Sequence, residues 1–548
     1  MKLHVWTDRH LLLDAGETHV VCRIDMMYIP PESSLLALNS SQFGGHKTCL
    51  LDGLEPPSRR VSFMATIEVR AIAGDVVLGP VCFEKPPCVS EILGRLQQSL
   101  ELLPSQEIVL MEDSAILPDT RKLQGGSAAD PMVLTMVTSK RSLQAIVWGR
   151  STRGPQWSKV EEQLKRGIVA VASTCDAFAA LTEDGSVITW GEGEEDDGGD
   201  SEGVLGLDQG VVQVVGNGQA FAAVKTGGEL VAWGGADCGG KPSPEITAQL
   251  RDGVVSVART LQAFAAVKEN GEVVTWGDPA FGGDSSSTAG SLKGVISVVG
   301  TWGFGGGAFA ALTDTGGVIT WGDPEVSDLG SAAELVQSGV TSICPSGSSF
   351  AALKTTGEVV CWGCEGKGGD MFVSWSDEEA GKTNYSVKEK LSKGVVSIVG
   401  SDDVFVALKE GGEVVAWGVA EDGAHLDEEL VTELGSDVLS ISANVAAFAA
   451  LKVGGRVVAW GVYHGDARSV VQLESGVARI PSFMIPNVMT FAALKEDGSL
   501  VVWGDHDYSS CALMAPYDEL QSDVVDVVGN SSGYVALKYT PALQGLEA

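Results

Sequence analysis

The sequence predicts a mainly β protein. Its larger part is expected to be a β-propeller of about nine units of ~43 residues, forming a closed ring or an open superhelical stack. An α+β domain of the β-grasp type is expected before it. Two observations lead to this prediction: a Phe-Ala-Ala type string that returns at near-regular intervals, and an earlier segment with one helical apolar stripe. The expected divisions are an unassigned leader over 1–63, the β-grasp domain over 64–140, the propeller over 141–540 and a tail over 541–548.

The repeat is defined by eight copies in which a Trp always occupies the twelfth position after a Phe. The copies begin at Phe178, Phe221, Phe264, Phe309, Phe350, Phe405, Phe448 and Phe491. Their spacings are 43, 43, 45, 41, 55, 43 and 43 residues. A period near 43 is typical of propellers and solenoids, in which each unit buries its apolar face against its neighbours.

Each repeat is expected to contain three short strands. In one copy these are a Val-rich run at 253–257, the FAAVK string from Phe264 and the EVVTWG string ending at Gly277. The turn Glu269-Asn270-Gly271 separates the last two, and Asn-Gly supplies the positive φ that tight hairpins need. β-branched residues suit the third strand. We expect the Trp to fill the gap between neighbouring units.

The two ends of the array supply complementary parts of one more unit. Trp148-Gly149 ends a third strand with no Phe string before it, and Tyr534–Lys538 is a second strand with no Trp-Gly after it. Pairing these ends would remove two exposed sheet edges and close a ring. Nine units exceed the usual four to eight blades, so an open stack stays an alternative.

These Trp-Gly strands at fixed register resemble the repeats of the regulator-of-chromosome-condensation family. Their short units are similar to those of the β-lactamase-inhibitor propeller. The resemblance covers about residues 141–540 and implies a propeller fold. It also implies a small GTPase as a candidate partner, because in that family a protruding insertion contacts one; fold alone does not set the activity.

A different pattern occupies residues 64–140. The stretches Thr66–Ile72 and Val76–Phe83 are predicted strands around a Gly74-Asp75 turn. Apolar residues at helical spacing over 89–103 predict an amphipathic helix, and two further strands are expected at Glu107–Met111 and Met132–Val137. The order β-β-α-β-β in so short a segment predicts a β-grasp.

The second half of that segment resembles a ubiquitin-like domain. The matching residues are Pro104–Gln106, Ile108–Leu110, Ile116–Asp119 and Leu123. Gly125-Gly126 lies before the last strand, so the resemblance implies a fixed, non-conjugated recognition module. Binding in that family commonly uses an apolar sheet patch, for which Leu110 and Leu134 are the candidates. Both residues would fit a hydrophobic core equally well, because the alternation of side chains along a strand does not show which face of the sheet is exposed to solvent.

Composition excludes several classes of partner. The chain has 37 Lys and Arg against 72 Asp and Glu, a net charge of −35, which opposes binding to nucleic acid or to anionic membranes. No run of 18 apolar residues and no clean secretory core occur. Ten Cys in 548 residues is ordinary usage, so an intracellular protein, cytoplasmic or nuclear, is expected.

No cofactor, metal or catalytic set is predicted. The Cys361–Cys364 CxxC coincides with a repeat Trp-Gly, so a redox or metal role is disfavoured. Two N/S pairs that could hold a tetrahedral Zn²⁺ ion occur in the leader, His19 with Cys22 and His46 with Cys49. Their HxxC…HxxC order is less familiar than CxxC…CxxC, so we expect these side chains to bind no metal. No nucleophile and base stand in a recognisable context, so the chain is not expected to be an enzyme.

Two departures from the repeat supply candidate binding residues. The 55-residue spacing contains an insertion with Phe372, Trp375 and Tyr385, where long loops on a rigid scaffold often bind partners. The alternative is a self-packed loop or a short helix that caps the ring. A Gly-rich segment places Trp302 and Phe304 where they are expected to be exposed.

The leading functional hypothesis is a non-enzymatic scaffold that binds a basic or neutral protein through propeller loops. Its ubiquitin-like unit would contact ubiquitin-pathway proteins or simply cap the array. A second hypothesis is a relative of the HECT-and-propeller ubiquitin ligases without the catalytic domain. A third is a guanine-nucleotide exchange factor for a small GTPase.

Overall fold

The computed structural model divides the chain into two compact units, Met1–Arg141 and Ser142–Ala548. In the first unit it describes the backbone of the strands alone. In the second it describes residues 142–149, 152–155, 157–191, 197–375, 383–462, 470–481, 490–504, 515–531 and 533–540.

The first unit contains an antiparallel sheet of six described strands. They are β1 (His19–Tyr28), β2 (Phe63–Ala71), β3 (Val76–Phe83), β4 (Gln106–Glu112), β5 (Ala115–Ile116) and β6 (Met132–Lys140). Their order is β3-β2-β1-β6-β4-β5. The four strands predicted from the sequence are confirmed as β2, β3, β4 and β6.

The described sheet does not establish a β-grasp. A β-grasp pairs its first strand with its last, whereas β1, from the leader, lies between β2 and β6. The helix expected over 89–103 lies outside the described residues. In the register, Leu110 is opposite Met136, and Leu134 is opposite Cys22. The ubiquitin-like domain and the binding role of these two leucines therefore stay predictions.

The second unit is an array of short strands joined by turns and single helical turns. Its strands are β7 (Leu143–Gly149), β8 (Ile168–Ser173), β9 (Ala177–Thr182), β10 (Val187–Gly191), β11 (Val211–Gly216), β12 (Ala220–Lys225), β13 (Leu230–Gly234), β14 (Val254–Arg259), β15 (Ala263–Lys268), β16 (Val273–Gly277), β17 (Val295–Gly300), β18 (Ala308–Thr313), β19 (Val318–Gly322), β20 (Val340–Pro345), β21 (Ser349–Lys354), β22 (Val359–Gly363), β23 (Phe372–Ser374), β24 (Tyr385–Ser386), β25 (Val395–Gly400), β26 (Val404–Lys409), β27 (Val414–Val419), β28 (Val438–Ala443), β29 (Ala447–Lys452), β30 (Val457–Gly461), β31 (Val477–Arg479), β32 (Thr490–Lys495), β33 (Leu500–Gly504), β34 (Val524–Gly529) and β35 (Gly533–Tyr539).

In the described residues of this unit, helical structure occurs in short connections. The α-helices are α1 (Trp157–Val160), α2 (Pro244–Gln249), α3 (Pro324–Ser327) and α4 (Glu428–Glu433). Single 3₁₀ or π turns occur at Gln163–Lys165, Ala236–Gly240, Pro279–Phe281, Gly330–Ala332, Ala420–Ala424, Val471–Leu473 and Tyr517–Glu519. The near absence of helical signal in the sequence agrees with these lengths.

Every repeat copy forms a three-stranded antiparallel sheet, as predicted. We call its members the first, middle and third strands, in chain order. The first strands are β8, β11, β14, β17, β20, β25, β28, β31 and β34. In each complete copy the middle strand carries the Phe and pairs with both neighbours. Tight hairpins fix this register, so Phe264 stands directly opposite Trp276.

The two ends of the array pair with each other. β35 runs antiparallel to β7 from Gly533 opposite Gly149 to Tyr539 opposite Leu143. Together with β34 they form the predicted composite unit, and one further pair, Leu143 opposite Ile168, joins this unit to the first complete copy in a six-stranded sheet of order β10-β9-β8-β7-β35-β34. The composite unit also touches the first complete copy where the Asn530 Nδ2 donates to the Ala177 carbonyl at 3.3 Å.

An aromatic stack forms the core of each sheet. All eight repeat Phe side chains are fully buried, and each ring lies 5.2–5.5 Å from its Trp partner. Tyr534 and Trp148 stack at 5.3 Å in the composite sheet. The Ala residues beside the Phe are also buried, and their small size lets neighbouring sheets approach.

The Trp side chains join neighbouring units, as expected. In five units the indole Nε1 donates to a glycine carbonyl in the connection of the preceding unit, for instance Trp321 to Gly282 at 3.1 Å. Gly282 has φ +87°, and a Cβ there would lie 2.7 Å from the Phe309 ring. Glycine is therefore required both by the backbone conformation and by the close packing.

The connections after the third strands cover the outer sheet edges. The Val414 amide donates to the Leu434 carbonyl at 3.0 Å, and Leu434 is buried. The Lys at the end of a middle strand also donates to a connection of this kind. Lys354 Nζ, for example, donates to the Leu335 carbonyl at 2.6 Å. These contacts take the place of a fourth strand and satisfy part of the exposed edge.

Candidate functional site

The insertion in the 55-residue spacing is part of a sheet. β23 pairs in parallel with β27, and β24 pairs antiparallel with β23, so the order of this sheet is β24-β23-β27-β26-β25. The described part of the insertion is thus neither a self-packed loop nor a capping helix, which corrects both alternatives. The added strands extend the outer edge of one unit.

Four apolar residues anchor the insertion. Met371, Val373, Val387 and Leu391 are buried in the cluster that contains Trp417. The Val387 amide donates to the Met371 carbonyl at 3.1 Å. Because its inward residues are packed and its backbone is paired, the described part of the insertion forms a short two-stranded ribbon fixed on its own unit.

We call the rings at this ribbon the aromatic surface: Phe372 on one face, Trp375 and Tyr385 on the other, and His425, which the connection after β27 places beside Trp375 and Tyr385. Phe372 and Tyr385 are 38% and 42% exposed, and Trp375 is half-buried. The Trp375 and His425 rings lie 5.0 Å apart at 52°. The structure therefore brings all three predicted residues of the insertion onto one ribbon.

A hydrogen bond links two members of the aromatic surface. The Tyr385 hydroxyl lies 3.3 Å from the His425 Nδ1, and the two rings meet edge to face at 6.4 Å. Burial raises the pKa of Tyr385, so its hydroxyl stays protonated. The arrangement has the features of an interaction surface, namely aromatic anchors held on a firm scaffold.

The Gly-rich loop places its two aromatic residues differently. Phe304 is 63% exposed, as predicted, but Trp302 is only 6% exposed, so its expected exposure is wrong. The Trp302 Nε1 donates to the Asp402 Oδ1 at 2.7 Å, which holds the indole against the loop of another unit. Trp302 thereby positions the loop 301–307, and Phe304 alone offers a ring to a partner.

Asp402 is half-buried at this contact. Burial raises its pKa to about 6, while the hydrogen bond from Trp302 and the charge of Lys367 lower it. The charges of Asp403 and Asp422 raise it further. Asp403 itself pairs with Lys367 at 3.3 Å.

The loops between first and middle strands form a chain of backbone hydrogen bonds from unit to unit, which we call the loop belt. The described bonds run from the amide of Ser531 to the carbonyl of Cys175, Cys175 to Gly218, Gly218 to Leu261, Gly303 to Gly347, Gly347 to Asp402 and Asp402 to Val445. Their lengths are 2.8–3.2 Å. These bonds join the described loops in two runs, one from Ser531 to Leu261 and one from Gly303 to Val445, and the first run ties the last described loop to the first.

The two Cys of the CxxC lack the environment of a reactive thiolate. Burial raises the pKa of both the Cys361 and Cys364 thiols, the opposite of a reactive thiolate. Among the side chains that the structure describes, no three His, Cys, Asp or Glu group to hold a metal ion. The His19, Cys22, His46 and Cys49 side chains lie outside that part. No described helix is long and apolar enough to cross a membrane.

Two structural features were not predicted from the sequence: His425 as part of the aromatic surface, and the glycines that accept hydrogen bonds from the Trp side chains. His425 comes after the third strand of its unit and meets Tyr385 from 40 residues away, and no local signal announces this. The glycines that receive the Trp Nε1 bonds have a signal: they stand a few residues after a Trp-Gly, four of them in DGG, CGG, FGG and KGG strings and Gly423 in a DGA string. That recurrence could have located the packing between units.

Comparisons with known proteins give distant structural likenesses. No protein-family model matches this chain, and no curated protein does. Prp20p from Saccharomyces cerevisiae, described with its binding properties to Gsp1p and histones, is 14% identical over 74% of this chain and 93% of that chain, with a TM-score of 0.34. Yeast RCC1 (Prp20) bound to Kap60 is 14% identical over 74% of this chain and 90% of that chain, with a TM-score of 0.36. Human WBSCR16 is 16% identical over 73% of this chain and 100% of that chain, with a TM-score of 0.35. At these TM-scores the architecture rests on the chain's own hydrogen bonds and packing.

Proposed function

We propose that this chain is a non-enzymatic scaffold that binds a protein partner through the aromatic surface of its insertion. Its nine three-stranded repeat units form a closed ring that holds this surface in place. The observation that carries the proposal is the pairing of β23 with β27, which fixes exposed aromatic residues on a packed sheet.

Closure of the ring is supported by contacts between the ends of the array. β7 and β35 pair with each other although they lie near opposite ends of the second unit's sequence. The loop belt continues from Ser531 to Cys175 at 3.2 Å, and the Ser531 hydroxyl also donates to Asp176. A closed array leaves no unpaired terminal unit, which suits a stable scaffold.

Protein binding is supported by the make-up of the aromatic surface. Tyr and Trp combine a large contact area with few rotatable bonds, so ordering them on binding costs little. Phe372 is exposed although its strand neighbours Met371 and Val373 are buried. A side chain placed outward in this way adds nothing to the core and is available to a partner.

The charge of the chain indicates the kind of protein. Its net charge of −35 repels acidic partners and favours basic or neutral ones. Links to the ubiquitin pathway, a ligase-related role and nucleotide exchange on a small GTPase stay predictions of the sequence, because no contact in the described residues favours one of them.

The test is quantitative capture of partners by the full chain and by a Phe372→Ala/Tyr385→Ala variant. Loss of two anchors is expected to weaken binding of a specific partner at least tenfold, since anchors of this kind contribute about 2 kcal/mol or more each. Tyr517→Ala is the matched control, because Tyr517 is similarly exposed (44%) but lies in another unit.

The outcomes separate the proposal from its alternatives. A partner lost with the double variant and kept by Tyr517→Ala supports the aromatic surface, provided that both variants unfold at the wild-type temperature. Equal capture by all three proteins overturns it. Accelerated nucleotide release from a captured GTPase would establish exchange activity instead.

A further inference from the structure

The first strands share an irregularity at their second residue. In β11, Val211 is opposite Lys225 and Gln213 is opposite Val224, so Val212 has no partner on the middle strand. All nine first strands shift register at this same step. A bulge of this kind turns one side chain out of the regular ladder.

Five of these bulge residues are exposed and aliphatic, and we call them the apolar arc: Val212, Val255, Ile296, Val396 and Leu439. Their exposed fractions run from 38% to 58%. The unit between Ile296 and Val396 has an exposed Thr341 at this position. The arc thus spans six consecutive units with one polar member.

Strand formation does not explain the apolar arc. β-branched residues favour strands because they pack on ladder neighbours, and a bulge residue has none on the middle strand. The next position along each strand is polar, for instance Ser297 after Ile296 and Ser397 after Val396. Aliphatic side chains therefore occupy one exposed position while the accessible position beside it stays polar, which is typical of an interaction surface.

The arc is continuous in space because the first strands of successive sheets contact one another, from β11 through β14, β17, β20 and β25 to β28. Exposed Val453 adds apolar area beside Leu439, because its amide donates to the Asp437 carbonyl just before β28. In the other three units the bulge residue is either covered or small. Val169 is buried, Val525 is half-buried, and the third unit has Ala478 at its bulge.

The charges around the arc differ from those of the chain as a whole. Hairpin turns lie beside the arc, since the Glu269 amide donates to Gly253, just before β14. In the six units of the arc, the hairpin turns between middle and third strands each begin with a Lys or a Thr and are 225–229, 268–272, 313–317, 354–358, 409–413 and 452–456. The triplets before the first strands are 208–210, 251–253, 292–294, 337–339, 392–394 and 435–437. Together they hold nine Lys or Arg and ten Asp or Glu, against 37 and 72 in the full chain.

We propose that the apolar arc is the interface through which two copies of this chain associate. A net charge of −35 makes two copies repel each other over most of their surfaces. The side that carries the arc is nearly neutral, with both signs interspersed, so two copies can meet there without that repulsion. A two-fold contact brings the same patch of each copy together, and mixed charges around an apolar centre are self-complementary in such a contact.

The test is the mass of the full chain in solution, measured by sedimentation equilibrium from 1 to 50 µM. The expected result is a reversible dimer of twice the chain mass. Val255→Asp/Val396→Asp is expected to weaken the dimer at least tenfold, because both sites are exposed and the dimer would bury the new carboxylates in an apolar interface. Phe304→Asp is the matched control, since Phe304 lies in a loop at the opposite end of the first strands.

Each outcome decides the proposal. A dimer lost in the double variant and kept in Phe304→Asp supports it, when thermal unfolding shows that both variants are folded. A chain that is monomeric at 50 µM overturns it. A dimer that persists unchanged in the double variant also overturns it, because association must then use another surface.

Discussion

Replacing Phe309 by Ala tests whether the aromatic stack holds each sheet to its neighbour. Phe309 is fully buried, lies 5.3 Å from Trp321 and packs on Gly282 of the preceding unit. Removing the ring leaves a cavity that this close-packed site cannot fill. The expected loss is about 3–5 kcal/mol of unfolding free energy. Of this, about 0.5–1.5 kcal/mol comes from the ring pair itself.

The assay is urea unfolding followed by tryptophan fluorescence and far-ultraviolet circular dichroism. Phe304→Ala is the matched control, because it removes the same ring from a 63% exposed site in the same unit. Its effect should stay within about 0.5 kcal/mol. An array of this size need not unfold in one step, so midpoints of the same transition are compared. Equal shifts in the two variants, or a loss below about 1 kcal/mol for Phe309→Ala, would refute the reasoning.

Two further predictions concern a glycine and a carboxyl. Gly282→Ala should cost about 2 kcal/mol or more, since φ is +87° and the new Cβ would lie 2.7 Å from the Phe309 ring. Gly290→Ala, where nothing lies within 4 Å, should be nearly silent in the same thermal unfolding experiment. The folded-state pKa of Asp402, about 6, is above its ordinary value, so the stability of wild type relative to Asp402→Asn should fall as pH rises from 4 to 6. Between pH 4 and 7 the difference in unfolding free energy between the two proteins, measured by urea titration, should change by about 2 kcal/mol, and a pH-independent difference would contradict the partial burial of this carboxyl.

The repeat made much of the second unit predictable. A constant separation between Phe and Trp, with a Gly-containing turn midway, places the two rings opposite each other in a hairpin. The same register argument paired Tyr534 with Trp148, although they lie near opposite ends of the second unit's sequence. These features follow from local pattern, because a hairpin register depends on turn length and on which face is apolar.

The remaining features depend on contacts between distant segments. The parallel pairing of Val373 with Gly418 follows from packing of the insertion against its own unit, and nothing in its sequence announces a strand partner. Trp302 looked exposed because its loop is rich in glycine, but Asp402 meets it from 100 residues away. The first unit shows the same limit, since β1 enters its sheet from a leader whose pattern matched neither predicted domain.

The central claim, that the ends of the array close it through one composite sheet, is tested most directly by a disulfide across that sheet. Gln144 and Lys538 are register partners on β7 and β35. Paired residues in an antiparallel sheet have Cα atoms about 4.5–5.5 Å apart, which a disulfide can span. Gln144→Cys/Lys538→Cys should form an intramolecular disulfide under mild oxidation, seen as faster migration on a non-reducing gel and identified by mass spectrometry. Gln144→Cys/Lys495→Cys, with its second cysteine at the same position of β32, should not. Absence of the first cross-link, or equal cross-linking in the control, would contradict closure.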